Sequence, residues 1–177
     1  PLLSFNTSAF SLGLRSDTQT VERISPICDS TGFSYAASST APANRTGPGF
    51  EHLGDVTFRV TSSKANFSTF STAAAGGMPL PALHVAGELA AADLTPSLPG
   101  SPLSVSRHYS ADATTGDVIV RYDLKHDRDA SLGAVELTAL GVTMGFDQLF
   151  SGRSLAAVAQ ACSFTDPSLG GGAGYVQ

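Results

Sequence analysis

Apolar and polar residues alternate with a period of two along much of this chain, the pattern of half-buried β-strands. Over residues 9–15, Phe10, Leu12 and Leu14 fall on one face, and Ser11 and Gly13 on the other. Ser16-Asp17-Thr18-Gln19 is turn-forming, and residues 20–24 alternate again, so the first hairpin is predicted here. Residues 26–48 are rich in Ser, Thr, Ala, Pro and Gly and read as a long loop with a short extended piece at Phe33-Ser34-Tyr35. In the next strand Val56, Phe58 and Val60 point inward, while Thr57 and Arg59 point out; residues 65–70 are its expected partner.

Residues 87–94 are composed of helix formers. A strand is expected there nonetheless, because strands flank it and Thr95-Pro96 ends it abruptly. The clearest signal spans residues 103–125. Leu103, Val105, Arg107 and Tyr109 share a face, and Ser104, Ser106 and His108 take the other. A turn at residues 112–117 leads to Val118, Val120, Tyr122 and Leu124 on one face and Ile119, Arg121, Asp123 and Lys125 on the opposite one. This predicts a long antiparallel hairpin. Residues 133–146 are dense enough in apolar residues to suggest a central strand buried on both faces. One short helix is expected near the C-terminus, capped by Ser151, with Leu155, Ala156, Val158 and Ala159 as its apolar stripe before Cys162. Gly170 to Gly174 reads as a linker, and Tyr175-Val176-Gln177 as the start of a truncated strand. Seven to nine strands with regular turns predict an all-β, antiparallel β-sandwich over residues 1–169, with a Gly-rich tail at 170–177. No internal repeat suggests a propeller or solenoid.

Composition narrows the function classes. Charged residues make up 14% of the chain against about 25% in an average domain, and lysine occurs only at Lys64 and Lys125. The net charge is −5, with no basic patch to neutralise phosphates, so neither nucleic acid nor an anionic membrane is an expected partner. No apolar run reaches the ~20 residues that span a bilayer. The chain starts at Pro1, without Met or a signal peptide, and reads as a processed mature chain.

Three N-glycosylation sequons are present, at Asn6, Asn44 and Asn66, each near a predicted turn or strand end. They fit a secreted, extracellular glycoprotein. The two cysteines, Cys28 and Cys162, have no CxxC spacing. Either they pair in an oxidising compartment, closing a loop worth about 5 kcal/mol in the chain-entropy model, or they sit as two separate buried thiols.

Candidate chemistry is sparse. Glycoside hydrolysis needs two carboxylates astride a sugar bond. The acids Glu51, Asp55, Glu88, Asp93, Asp123, Asp127, Asp129, Glu136, Asp147 and Asp166 form no recognisable pair in sequence. Asp147 and Asp166 lie outside the long hairpins, where they reach a cleft or cap loops, the latter reading being favoured. His52, His84, His108 and His126 lack HxH or HExxH spacing, so no metal site and no cofactor is expected. Gly32 to Ser34 does not complete a nucleophile elbow, and nothing singles out a serine nucleophile. The aromatics Phe33, Tyr35, Phe50, Tyr109 and Tyr122 are available for sugar stacking, although Tyr109 and Tyr122 read better as a cross-strand pair. The absence of Trp weighs against a dedicated carbohydrate-binding module.

Four segments carry a resemblance: "FNTSAFSLGLRSDTQTVERISP", "HLGDVTFRV", "LAAADLTPSLPGSPLSVSRHYS" and "LTALGVTMGFDQLFSGRSLAAVAQACSFTDPSLGGGAGYVQ". Together they resemble the N-terminal region of secreted fungal and bacterial six-hairpin glycosidase-like proteins, many of them uncharacterised. The resemblance implies a galactose-mutarotase-like super-sandwich followed by an (α/α)6 barrel whose loops hold the main catalytic acids. This chain contains no such barrel. It is therefore expected to be an accessory domain or fragment of a secreted glycoside hydrolase, with the helical remainder of the same polypeptide, or polysaccharide, as partner. The alternative expectation is a non-catalytic secreted carbohydrate-binding or structural surface glycoprotein.

Overall fold

The computed structural model describes residues 2–28, 54–64, 69–72, 78–126 and 130–142, and the backbone of 163–165 and 173–175. Twelve strands lie in these segments. In chain order they are β1 (Leu2–Asn6), β2 (Phe10–Arg15), β3 (Val21–Pro26), β4 (Val56–Ser62), β5 (Thr69–Ser71) and β6 (Ala82–Leu83). There follow β7 (Ala90–Asp93), β8 (Ser104–Ala111), β9 (Val118–Lys125), β10 (Val135–Val142), β11 (Ser163–Thr165) and β12 (Ala173–Tyr175). All pairings are antiparallel, in sheets ordered β1-β2-β3, β10-β4-β5, β6-β7-β8-β9 and β11-β12.

The four-stranded sheet organises the molecule. Its period of two separates two faces. One face packs against both three-stranded sheets, which makes the fold sandwich-like and all-β. Toward β4, the core joins Val56, Phe58 and Val60 to Ala92, Leu94, Leu98, Leu103 and Val105. Toward β2 and β3, it joins Leu12, Leu14 and Val21 to Tyr109. Between these clusters sits Arg107, 1% exposed. Its guanidinium donates to the carbonyls of Gly54 (3.3 Å), Thr18 (3.1 Å) and Gln19 (2.8 Å). It also lies 5.3 Å from the centre of the Tyr109 ring. The side chain thereby ties the β2–β3 turn and the entry to β4 onto β8.

The hairpins expected at residues 9–24 and 103–125 form, with the predicted turn at 112–117. Residues 90–93 are strand, as expected against their helix-forming composition, since β7 gains hydrogen-bonded neighbours on both sides. Several expectations are corrected. The strand expected to be central and doubly buried is β10, at the end of its sheet order and paired with β4; Leu137, Leu140 and Val142 are exposed. Its high apolar content therefore did not signal burial. Tyr109 and Tyr122 are diagonal neighbours instead of a direct pair, because Tyr109 faces Val120 and Arg107 faces Tyr122. Of the partner expected for β4 over residues 65–70, Thr69 and Phe70 lie in β5, which pairs with β4, and residues 65–68 lie outside the described residues. Residues 2–6, not predicted as strand, form β1 against β2. The C-terminal strand starts at Ala173 and pairs with β11 inside the chain. The helix expected from Ser151 lies outside the described residues.

Candidate functional site

The outer face of the four-stranded sheet is polar because the alternation that buries Val105, Arg107 and Tyr109 turns Ser104, Ser106 and His108 the other way. Antiparallel register then places Arg121 opposite His108, and Asp123 and Asp93 on either side of Ser106. The segment joining β6 to β7 brings Glu88 onto the same face, anchored by the Leu89 N–H donating to the Tyr109 carbonyl at 2.8 Å.

These side chains form one network. His108 Nδ1 lies 2.6 Å from Glu88 Oε2, and His108 Nε2 lies 2.9 Å from Ser106 Oγ. Asp123 Oδ2 is 3.6 Å from the same Nε2. Arg121 bridges the two acids, with Nη2 at 3.1 Å from Glu88 Oε1 and Nε at 3.2 Å from Asp123 Oδ1. The side chains of His108 and Glu88 are 8% and 10% exposed, whereas that of Arg121 is 56% exposed and roofs the pair from solvent. Glu88 and Asp123, which looked unrelated in sequence, thus flank one imidazole and one guanidinium.

Beside this network a groove of about 450 Å³ runs between β1 and the β6–β7 segment, lined by Leu3, Phe5, Gln19, Leu83, His84 and Glu88 among others. Gln19 contributes two unusual features to its wall. Its backbone is in the left-handed region at φ 50°, where residues other than glycine are uncommon. That conformation is held by the donors of Arg107 and Tyr109 on its carbonyl oxygen. Its side-chain Oε1 is buried without a hydrogen-bond partner, which costs about 1–3 kcal/mol.

The remaining sequence candidates are dispersed. Asp55 is buried and accepts from Thr72 Oγ1 at 2.5 Å. Asp93, the last residue of β7, accepts from the Thr95 N–H just ahead of the short 3-10 turn Thr95–Ser97. Glu136 lies on the exposed β10. Tyr109 is fully buried, and the Tyr122 hydroxyl donates to the Gly54 carbonyl, so neither ring offers a stacking platform. His84 is exposed on the groove rim and His126 lies exposed after β9. Asn6 is exposed at the end of β1. Cys28 is disulfide-bonded. Asn44, Asn66, Cys162, His52, Phe33, Tyr35, Phe50, Glu51, Asp127, Asp129, Asp147 and Asp166 lie outside the described residues. Among the described residues no group of three or more His, Cys, Asp or Glu has metal-holding geometry, and no helix is long and apolar enough to cross a membrane.

Sequence reasoning missed the Ser106–His108–Glu88 line. A Ser-x-His pair on one strand face was visible; the loop that returns Glu88 to it was not. Of the comparisons with known proteins, one family model matches, over residues 13–177, and its description is a family of unknown function (DUF5695). No curated protein and no solved structure matches the chain. The glycosidase likeness rests on the quoted segments alone.

Proposed function

The chain belongs to this family of unknown function, and on that footing we propose that it is the β-sandwich unit of a secreted carbohydrate-active protein. The observation that carries the reading is the pairing of a groove of about 450 Å³, walled by Phe5 and apolar side chains, with a face of Ser, His, Glu, Asp and Arg. Sugars present the same two surfaces: apolar C–H patches that pack on a ring or an aliphatic wall, and hydroxyls that both donate and accept. The low charge, the exposed Asn6 in a sequon and the disulfide-bonded Cys28 support an extracellular setting. In this reading the sandwich has the arrangement of a mutarotase-like super-sandwich. It supports a helical barrel elsewhere in the same polypeptide and forms one wall of its substrate cleft.

Calorimetric titration of the chain with a panel of soluble plant and fungal polysaccharides tests the reading. At least one should bind, and Phe5→Ala should weaken that binding about tenfold when measured below its own thermal midpoint, which falls because Phe5 also packs against the β2–β3 core. No heat with any polysaccharide overturns it. The native mass of the protein purified from its source tests the accessory role: a mass several times 18.1 kDa, resolving into this chain and a helical remainder on denaturation, is expected. A mass of this chain plus glycans favours the second reading, a free-standing sugar-binding glycoprotein.

A further inference from the structure

We propose that Ser106, His108 and Glu88 form a nucleophilic relay that cleaves carboxylic esters. The inference does not depend on the carbohydrate reading. It starts from which atom each partner can use. An ionised carboxylate only accepts, so Glu88 Oε2, 2.6 Å from Nδ1, requires the Nδ1 proton on the imidazole. Neutral His108 therefore presents a lone pair at Nε2. The group 2.9 Å from that lone pair is Ser106 Oγ, whose hydroxyl donates to it. The order nucleophile, base and orienting acid, with both contacts at hydrogen-bond length, is what general-base activation of a serine needs. Each member is independently held. Ser106 and His108 are fixed on one face by the strand period. Glu88 is held at its other oxygen by Arg121 at 3.1 Å. Ser106 is half-buried on the outer face of the sheet.

The charges around the ring favour the step in the required direction. Asp123 Oδ2, 3.6 Å from Nε2, is beyond hydrogen-bond reach of the neutral ring and attracts the positive charge once Nε2 is protonated. Arg121, opposite His108 on β9, is paired with Glu88 and Asp123, so its positive charge only partly offsets that attraction. Asp93 is the other charge beside Ser106, and one of its oxygens is taken by the Thr95 N–H. In the reaction Ser106 Oγ bonds to the ester carbonyl carbon as its proton passes to Nε2. The tetrahedral adduct then expels the alcohol oxygen, which takes that proton and leaves as the alcohol. Water, deprotonated by Nε2, releases the acid from the acyl-serine and restores the hydroxyl. No oxidant, metal or cofactor enters the balance. Glu88 is a positioning residue, because it acts through His108.

The test is reaction of the purified chain with a fluorophosphonate probe, read by intact mass and peptide mapping, alongside hydrolysis of p-nitrophenyl acetate. The expected result is a single phosphonyl adduct on Ser106. Ser106→Ala should abolish it, and His108→Gln should slow it at least about 10²-fold, with both variants keeping the wild-type circular dichroism spectrum. In Glu88→Gln kcat for p-nitrophenyl acetate should fall at least about tenfold at an unchanged KM, a split that a merely structural role would not produce. Labelling no faster than that of the urea-unfolded chain, or labelling that survives Ser106→Ala, overturns the relay. Full-rate labelling in His108→Gln overturns it as well. Neither probe carries a sugar, so labelling without polysaccharide binding would leave the relay standing and remove only the carbohydrate reading.

Discussion

The guanidinium of Arg107 donates to the backbone carbonyl of Gln19 at 2.8 Å, across 88 residues of chain. The same side chain reaches Thr18 and Gly54. A planar fork meets three carbonyls from two loops, in a way that a single ammonium cannot copy. Arg107→Lys should therefore lower stability by about 2–3 kcal/mol despite keeping the charge. Urea unfolding should show this as a lower midpoint at an unchanged slope. A midpoint equal to wild type would mean that charge alone matters at this position.

The hydroxyl of Tyr122 shares the Gly54 carbonyl with Arg107. Burial pushes its phenol up to about 12, opposed by the nearby Arg107 charge. Because the folded value is raised, the stabilisation it represents is complete below about pH 10, the unfolded value, and is lost as pH rises through about 12. The absorbance difference at alkaline pH between wild type and Tyr122→Phe should centre near 12, not near 10. Tyr122→Phe should also cost about 1 kcal/mol at neutral pH.

Gly116 sits at φ 78° in the turn between β8 and β9. A Cβ there would stand 2.1 Å from Ser8 Oγ and 2.7 Å from the Ala9 backbone nitrogen. Ser8 could swing away, but the backbone of the β1–β2 turn cannot. Gly116→Ala should destabilise by about 2 kcal/mol or more, from strain and displacement together. Gly87→Ala, at φ 82° with open space around it, should cost only the backbone term, about 1 kcal/mol. Thermal unfolding of the two variants side by side checks the difference.

Asp17 pairs with Arg15 at 2.9 Å, and this contact holds its carboxyl down at about 2. With the folded value depressed, the contribution is full above about pH 4–5 and disappears as pH falls toward 2. The pair is over a third exposed, so solvent limits its worth to about 0.5 kcal/mol. The gap in unfolding midpoint between wild type and Asp17→Asn should be constant at neutral pH and close between pH 4 and pH 2.

What the chain's pattern determined by itself is local. The period of two in residues 103–125 sufficed to place β8 and β9 and to assign each side chain to a face, Arg107 inward and His108 outward included. Turn residues sufficed for the β2–β3 and β8–β9 connections. Order within the sheets and proximity between distant segments were decided only in three dimensions. Apolar density could not tell that β10 lies at the end of its sheet order, because position depends on which strand pairs with which, and that involves contacts dozens of residues apart. Nor could alternation reveal that the two terminal nitrogens of an inward-facing arginine would donate to the carbonyls of Thr18, Gln19 and Gly54. The network on the outer face is of the same kind. Ser106 and His108 were neighbours in the pattern, but Glu88 joins them through a loop return spanning 20 residues, which no periodicity encodes.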